Sequence, residues 1–198
     1  MTLDLADPTA VLLAIIEALT RAGLEVAAYG GLALAAYGTP RETKDADLAA
    51  VAVTGSRAQE ALRAAGIEAL IAFDQARFGG NRVTRLTLLP GADATGLNTA
   101  DLVEPLSSRY AQAVLARAYD GSLRGVRLRI VTPEDFVILK VLSTRERDLE
   151  DAAAVLAALT DRIDSSLIDA EVTVLAREIP THDVLGRYLR ARAGSQPG

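Results

Sequence analysis

The sequence predicts an α/β fold with a mixed, mostly antiparallel sheet, followed by a C-terminal helical region. Within residues 1–131, helical patterns alternate with short apolar runs that are typical of strands. Within residues 132–195, the segments have the periodicity of helices. The chain has 198 residues, of which 50% are hydrophobic, and this is enough for one large core. We therefore expect a core of residues 1–131 and a helical region of residues 132–195 that packs on it as one structural unit.

The first part contains four predicted helices and five predicted strands. The first helix follows Asp7, a good N-cap residue, and has Pro8 at its first position. Each strand is an apolar run that lies between turn-forming Gly, Asn or Asp residues. The predicted helices are 8–23, 32–37, 56–66 and 107–118, and the predicted strands are 24–29, 45–53, 67–73, 82–89 and 98–103.

A predicted hairpin joins the two parts of the chain. It covers residues 119–131, and its Asp-Gly signal places the turn at Asp120-Gly121. The pattern then becomes helical at Thr132, which is a suitable cap and is followed by Pro133 at the first helical position. The predicted helices of the second part are 132–145, 147–159, 165–179 and 181–193.

Composition argues against several classes of protein. The chain has no cysteine, which excludes disulfides, thiolate metal sites and a cysteine nucleophile. Its single histidine, His182, argues against a structural zinc site and receives no role. The net charge of −5 argues against a protein that coats nucleic acid, although a local basic patch remains compatible with it. No apolar run reaches membrane-spanning length and the N-terminus lacks a basic leader, so we expect a cytoplasmic protein with no membrane partner.

Two adjacent glycines are the first candidate site. Gly30 and Gly31 end an apolar strand and open a helix. Backbone N–H groups at such a junction bind phosphate, and glycine allows the phosphate to approach closely. The alternative is a tight turn between a strand and a helix that binds nothing. The dipeptide alone does not decide between these interpretations.

Two aspartates at the start of the next apolar strand are the second candidate site. Asp45 and Asp47 are two residues apart, so in a strand their side chains share one face. Like charges at the end of a buried strand are unfavourable unless a positive group offsets them. Mg²⁺ prefers oxygen ligands and bridges to substrate phosphates. The alternative is a strand whose first residues extend into solvent.

The order of these features, Gly-Gly, a short helix and then Asp-x-Asp on a strand, resembles the DNA polymerase β-like nucleotidyltransferase superfamily. The segment GGLALAAYGTPRETKDADL, residues 30–48, is most similar to its small prokaryotic branch, which includes the AbiEii-type toxins of type IV toxin–antitoxin systems. The resemblance implies a nucleotidyltransferase core, an NTP substrate and two Mg²⁺ ions. One departure is Gly31, because many members have a serine there whose hydroxyl contacts phosphate.

The resemblance also implies a third carboxylate on a neighbouring strand. Asp101, in the apolar segment NTADLVEPL, is the best candidate. Asp93 and Asp120 are rivals, but both lie beside glycines, where an aspartate is usually a turn former. The predicted metal ligands are therefore Asp45, Asp47 and Asp101, and Asp101 would also help to activate the acceptor hydroxyl.

The segment that begins at Pro133 carries a further resemblance. Lys140 is the one charge between Phe136 and Leu142, and it must reach solvent or find a negative partner. With Asp148 downstream, it is similar to a K…R-K-D-L-x-D segment of AbiEii-like proteins. This implies that Lys140 binds the triphosphate and that Asp148 orients it or assists proton transfer. The alternative is an ordinary pair of helices with solvated charges.

Basic residues complete the predicted nucleotide site. Lys44 and Lys140 are the two lysines of the chain, and both lie in these motifs. A lysine is a compact charge with three donors, which suits a phosphate. Arg41 lies in the same loop as Lys44 and could also reach a phosphate, although solvent is its default environment. The predicted nucleotide-binding set is Gly30, Gly31, Arg41, Lys44 and Lys140.

Other arginines fall into two groups that fit either an RNA backbone or the edge of a sheet. We favour the edge. The two groups are Arg77, Arg82 and Arg85, and Arg124, Arg127 and Arg129.

These observations predict a Mg²⁺-dependent enzyme that transfers NMP from an NTP to an acceptor hydroxyl. The resemblance implies tRNA or a protein as acceptor, and an antitoxin as a partner. A small-molecule nucleotidyltransferase of the antibiotic-modifying kind is the first alternative, because it shares a similar opening motif. A catalytically idle relative that binds nucleotide or a partner protein is the second.

Overall fold

The computed structural model describes residues 3–90 and 98–195. Within these ranges it has eight α-helices, one 3₁₀ turn and seven strands. The helices are α1 (Pro8–Arg21), α2 (Gly30–Ala33), α3 (Gly55–Ala64), α4 (Ser108–Arg117), α5 (Pro133–Leu142), α6 (Glu146–Ala158), α7 (Ser165–Glu178) and α8 (Val184–Gly194), and the 3₁₀ turn is Leu34–Tyr37. The strands are β1 (Val26–Tyr29), β2 (Ala46–Ala50), β3 (Ala69–Phe78), β4 (Asn81–Leu88), β5 (Asn98–Pro105), β6 (Tyr119–Leu123) and β7 (Val126–Ile130).

The seven strands form one sheet in the order β3-β4-β5-β2-β1-β7-β6. Strand β2 is parallel to β5 and β1 is parallel to β7, whereas the other four pairs are antiparallel. The prediction of an α/β fold with a mixed, mostly antiparallel sheet is confirmed. Helices α1 and α3 pack on each other and contact the sheet, while α5 packs against α6, α7 and α8.

The helix starts follow the capping chemistry of the sequence. The Asp7 carboxylate accepts the N–H groups of Thr9 and Ala10 at the start of α1. The Thr132 hydroxyl accepts the Asp135 N–H at the start of α5. Each contact satisfies backbone donors that have no partner within the helix, and this fixes where the helix begins.

The hairpin of β6 and β7 differs from the prediction. Its turn lies at Arg124-Gly125, not at Asp120-Gly121, and both turn residues have positive φ, 51° and 79°. A two-residue turn between twisted strands requires this conformation at both positions. Gly121 lies inside β6 opposite Leu128, where a Cβ atom would be 2.5 Å from the Ile130 side chain.

The edge interpretation of the arginines is wrong for most of them. In the described part of the chain, the edge strands are β3 and β6. Of the arginines in the two groups, only Arg77 lies on an edge strand, β3. Arg82 and Arg85 lie on β4 and form ion pairs with acids of β5. Arg127 and Arg129 lie on β7, which is covered by β6.

A single apolar cluster extends from Leu5 to Ala191 and contains residues of both the sheet and the C-terminal helices. Phe136 on α5 is fully buried, and its ring lies 5.5 Å from that of Tyr29 and 5.3 Å from that of Tyr37, between centroids. Burial of aromatic rings is strongly stabilising, so this contact fixes α5 next to the end of β1. Among the described residues, no helix combines the length and apolarity that crossing a membrane needs.

Candidate active site

One row of cross-strand partners crosses five strands of the sheet. From β1 to β3 it contains Tyr29, Asp47, Asp101, Arg85 and Phe73. Directly paired residues of neighbouring strands share a face of the sheet. The sheet therefore brings together two acids that are far apart in the chain, on the same face.

Gly30 and Asp47 are linked by steric fit. Gly30 has a φ of +69°, and a Cβ atom at this position would be 1.9 Å from Asp47 Oδ2. No side chain other than hydrogen fits there without displacing the carboxylate. Gly31 is similarly crowded, because its Cβ would lie 2.7 Å from Thr43 Cβ and 2.9 Å from Thr43 Oγ1. The Thr43 hydroxyl thus occupies space next to the position where related proteins carry a serine.

Asp47 is the acid of this row that lacks a counter-ion among the described residues. Its side chain is partly buried, and within the described residues no hydrogen bond or ion pair reaches its carboxylate. Burial raises the pKa of Asp47 to about 7, and the positive charge of Lys140 opposes this increase only in part. The negative charge of Asp101 raises this pKa further. A cation at this position would remove the cost of ionising Asp47.

Asp101, by contrast, has a counter-ion. Arg85 Nε lies 2.7 Å from Asp101 Oδ1, and Arg85 Nη2 lies 2.6 Å from Oδ2. This two-pronged geometry engages both oxygens of a carboxylate that is only 5% exposed. Among the described residues, there is no group of three or more His, Cys, Asp or Glu side chains positioned to hold a metal ion.

Asp45 precedes β2 and does not belong to the strand, which begins at Ala46. Its exposed carboxylate accepts a hydrogen bond of 2.8 Å from the Thr99 hydroxyl. The two alternatives to Asp101 as the third carboxylate are Asp120 and Asp93. Asp120 lies on β6, which β1 and β7 separate from β2. Asp93 lies outside the described residues.

Lys140 is the centre of a buried ionic cluster. It is only 2% exposed, and its Nζ lies 2.6 Å from Asp148 Oδ1 and 3.0 Å from Asp151 Oδ2. Asp151 also binds Arg41, through two contacts of 2.8 Å. Arg145 Nε completes the cluster at 2.9 Å from Asp148 Oδ2. The sequence requirement that Lys140 find a negative partner is thus met twice.

The carboxylate of Asp148 is held in its charged form. Burial by itself would raise the pKa of Asp148, but the Lys140 ammonium, the Ser143 hydroxyl and Arg145 together hold this pKa below its usual value. The result is opposite to that for Asp47, although both acids lie on the same side of the molecule.

Two cavities open on these residues. The basic cavity has a volume of about 590 Å³ and contains Lys44, Lys140 and Arg145 among its lining. Its five basic side chains outnumber its four acidic ones, and the lining also includes Arg41, Glu42, Thr43, Asp45 and Arg147. The aromatic cavity has a volume of about 260 Å³ and is lined by Phe73, Phe78, Arg85 and Asp101, together with Tyr29. Asp47, Arg145 and Asp148 line both cavities, so the two meet at Asp47.

Sequence reasoning missed several residues of this site. Arg85 was assigned to a sheet edge, and Tyr29, Phe73 and Phe78 were not considered. The signal that could have identified Arg85 is the alternation of β4, because Arg85 and Val83 share a face with Asp101 once the strands are paired. Arg145 could have been chosen from its spacing to Asp148, three residues along a helix.

The seven-stranded mixed sheet with its flanking helices is consistent with a nucleotidyltransferase fold. The chain belongs to the family described as nucleotidyl transferase of unknown function (DUF2204), whose model matches residues 9–183. It is therefore a nucleotidyltransferase family member. No curated protein matches the sequence.

Solved structures resemble this chain at low sequence identity, and the first of the following two supports a shared fold. An antigenic nucleotidyltransferase-like protein from Paracoccidioides brasiliensis matches with 20% identity and a TM-score of 0.52, over 96% of this chain and 95% of that one. The antibiotic-resistance factor ANT(2'')-Ia matches with 14% identity and a TM-score of 0.49, over 87% of this chain and 91% of that one.

Proposed function

We propose that this protein transfers NMP from an NTP to an acceptor hydroxyl in a reaction that depends on a divalent cation. The observation that supports this most is the meeting of two cavities at Asp47, one basic and one partly aromatic. A two-substrate reaction needs this arrangement, because the reacting atoms must be held next to each other in an aligned geometry. The basic cavity would hold the triphosphate and the other would hold the acceptor.

The basic cavity suits a triphosphate. Lys44 is exposed at its wall, and Arg145 and Arg147 lie nearby. Lys140 has three donors, of which two face Asp148 and Asp151, and this leaves one for a phosphate oxygen. The Arg41 guanidinium is bound to Asp151, so the role of Arg41 is to shape the wall of the cavity. We assign triphosphate binding to four side chains, Lys44, Lys140, Arg145 and Arg147. The backbone at Gly30 and Gly31 and the hydroxyl of Thr43 complete the set.

Asp45 and Asp47 would hold the divalent cation, as the superfamily implies for Mg²⁺. The donor set fits this ion because both groups offer carboxylate oxygens and Asp47 lacks a positive partner among the described residues. Asp101 would join them when Arg85 releases it. Two bound cations would stabilise the charge on the attacking and leaving oxygens.

The residues of the chain position the two substrates and accept the proton of the acceptor hydroxyl. The acceptor oxygen forms a bond to the α-phosphorus while the bond from that phosphorus to the bridging β-oxygen breaks, and pyrophosphate leaves with its electron pair. The hydroxyl proton passes to Asp101, which lies on the side of the aromatic cavity. Arg85 must move away first, because a carboxylate held by a guanidinium is a poor base. Asp148 acts through Lys140, which it holds in place.

The acceptor and the partner are the finer parts of the proposal. The AbiEii resemblance favours tRNA, or a protein, as acceptor and an antitoxin as binding partner. The antibiotic-modifying kind of nucleotidyltransferase is the competing candidate for a small-molecule acceptor. A catalytically idle protein is the third candidate. The network of ionised acids around Lys140 would stabilise such a protein in the same way as it would stabilise an enzyme.

The test is transfer of label. The purified protein is incubated with each α-³²P-labelled NTP, Mg²⁺ and one of three acceptor pools: total tRNA, a protein extract or aminoglycosides. We expect label in one pool with wild type and a loss of about 10³-fold or more with Asp47→Asn, since the reacting charges lose their anchor.

The control for this experiment is Asp120→Asn, which removes an acid at the far side of the sheet. This variant should transfer label like wild type. No labelling of any pool by wild type would favour the idle interpretation. Equal labelling by wild type and Asp47→Asn would overturn the assignment of Asp47 to the reaction centre.

A further inference from the structure

Two phenylalanines form an exposed aromatic wall beside the proposed reaction centre. The Phe73 and Phe78 rings lie 5.6 Å apart between centroids, at an interplanar angle of 54°. Phe78 is 43% exposed. The chain has only three phenylalanines and no tryptophan, yet two of the three line this one cavity. Because exposure of an aromatic ring is unfavourable, this arrangement points to a ligand that covers the rings.

The strand that carries both rings is distorted in a way that places them together. Phe73 and Phe78 are five residues apart, so a regular strand would direct them to opposite faces. Strand β3 shifts register between Phe73 and Ala76, and Gln75 within this bulge has a φ of +52°. A bulge re-aims the side chains that follow it, and both rings consequently line the same cavity.

The bulge is held by a set of hydrogen bonds. The Gln75 N–H donates to Thr84 Oγ1 at 3.1 Å, and the Thr84 hydroxyl donates to Asp74 Oδ1 at 2.7 Å. Asp74 also accepts the Gly55 N–H at 2.9 Å, which connects β3 to α3. A positive φ at a residue other than glycine is costly, and this network offsets the cost. The wall is therefore a fixed feature of the fold.

The charges around the wall offer few contacts for a polycationic ligand. Among the described residues that line the cavity, Asp101 is paired with Arg85 and Asp148 with Arg145, which leaves Asp47. Arg85 also lies 5.5 Å from the Phe73 ring centroid, with its guanidinium over the ring. Because the Arg85 guanidinium already lies over Phe73 and one carboxylate is left for a cation, the lining favours a planar aromatic surface over a ligand with several ammonium groups.

The size of the cavity limits the ligand further. At about 260 Å³ it is slightly smaller than typical ligand sites, which have about 300–1,000 Å³. A space of this size can enclose one planar ring system with its attached hydroxyl group, whereas a chain of several sugar rings would extend beyond it.

We propose that the acceptor carries a planar aromatic or heteroaromatic ring that stacks on Phe73 and Phe78, with its reactive hydroxyl directed to Asp47 and Asp101. This assignment of the acceptor rests on the proposed nucleotidyl transfer, but the binding of a ring does not. The ring can belong to a terminal nucleotide of an RNA or to a free aromatic molecule. Phe73 and Phe78 then determine specificity for the acceptor.

The binding experiment uses 2-aminopurine riboside, whose fluorescence decreases when its ring stacks on an aromatic side chain. It is titrated into wild type, Phe73→Leu and Phe78→Leu, in the presence of saturating α,β-methylene ATP. The two leucine variants keep an apolar side chain and remove the ring. We expect about a tenfold weaker binding in each, as stacking of a base typically contributes. Leu70→Ala, which removes an exposed apolar side chain of the same strand outside the cavity, should bind like wild type.

Each other outcome overturns the inference or separates it from the proposed function. Unchanged binding in both leucine variants, or stronger binding of tobramycin than of the riboside, would overturn it. Weaker binding of α,β-methylene ATP itself in the leucine variants would assign the wall to the base of the NTP and not to the acceptor. If riboside binding behaves as expected but no label is transferred to any pool, the wall stands and the proposed function fails. A terminal nucleotide and a free aromatic molecule are distinguished by competition with a short RNA and with a phenol.

Discussion

Asp47 and Asp148 lie on the same two cavities, and the protein treats them in opposite ways. Asp148 has three neighbours that favour its charge, Lys140, Ser143 and Arg145, and its pKa is held below the usual value. Asp47 has no such contact among the described residues, and its pKa is raised to about 7 by burial. The two acids at the same site therefore differ in the charged and polar groups that contact them.

The comparison separates support from chemistry. The negative charge of Asp148 is already balanced by ion pairs with Lys140 and Arg145. A further cation is not required there, so Asp148 serves to hold Lys140 in place. A carboxylate that is buried without a partner is costly unless a ligand supplies the missing charge. Such unsatisfied groups mark functional positions more reliably than paired ones. Asp47 is therefore the residue at which a cation and a substrate should act.

Asp148→Asn tests the first half of this comparison and should have the largest effect on stability. The substitution leaves the buried Lys140 ammonium with one carboxylate in place of two. Removal of one partner from a buried ion pair typically costs about 3–5 kcal/mol in the free energy of unfolding. Urea denaturation at pH 7.5 measures this value. Asp120→Asn is the matched control and should change it by less than about 0.5 kcal/mol. Equal values for the two variants would show that the cluster does not contribute to stability.

Asp47→Asn tests the second half and should have the opposite sign. The folded-state pKa of Asp47 is raised, so the folded protein binds its proton more tightly than the unfolded chain does. The stability that this proton provides is complete below pH 4 and is lost as the pH rises to about 7. Asparagine removes the ionisation, so the variant should be more stable than wild type by about 2–3 kcal/mol at pH 8, and equal to it near pH 4.

The measurement for Asp47→Asn is a series of urea denaturation curves in EDTA between pH 4 and pH 8. Added Mg²⁺ should then stabilise wild type more than the variant, because the ion binds only a charged Asp47. A variant that is less stable than wild type at pH 8 would mean that the carboxylate is satisfied in the folded state.

Much of the fold was accessible from the sequence because it depends on local patterns. The caps at Asp7 and Thr132 and the apolar runs of the strands fix the elements within a few residues. The turn of the hairpin was not accessible, because Arg124 adopts a positive φ that its residue type does not suggest. The wrong placement at Asp120 followed from relying on the Asp-Gly dipeptide, which tertiary packing overrides here.

The site was predicted where residue types have few structural uses and missed where they have many. Paired aspartates on an apolar strand and a lysine in an apolar helix are costly, so Asp47 and Lys140 stand out as candidates, and the resemblance decides between their two interpretations. An arginine or a phenylalanine is common in ordinary strands, and the roles of Arg85 and Phe78 depend on register and on a bulge. Both follow from long-range pairing, which a single sequence does not reveal.

Arg85→Gln tests whether the paired acid, Asp101, joins the unpaired one in holding a cation. In the metal-free protein the Arg85 guanidinium occupies both Asp101 oxygens, so a divalent ion must compete with it. Removal of the guanidinium should strengthen Mn²⁺ binding, measured by electron paramagnetic resonance, by about tenfold, which corresponds to about 1.4 kcal/mol. Arg82→Gln is the matched control, because Arg82 forms an ion pair with Glu104, through one contact of 3.3 Å, on the opposite face of the same two strands. Its Mn²⁺ affinity should equal that of wild type.

Unchanged or weaker Mn²⁺ binding in Arg85→Gln would show that Asp101 remains outside the cation site. Asp47 and Asp45 would then hold the ion alone, and the arginine would serve only to position the aromatic wall.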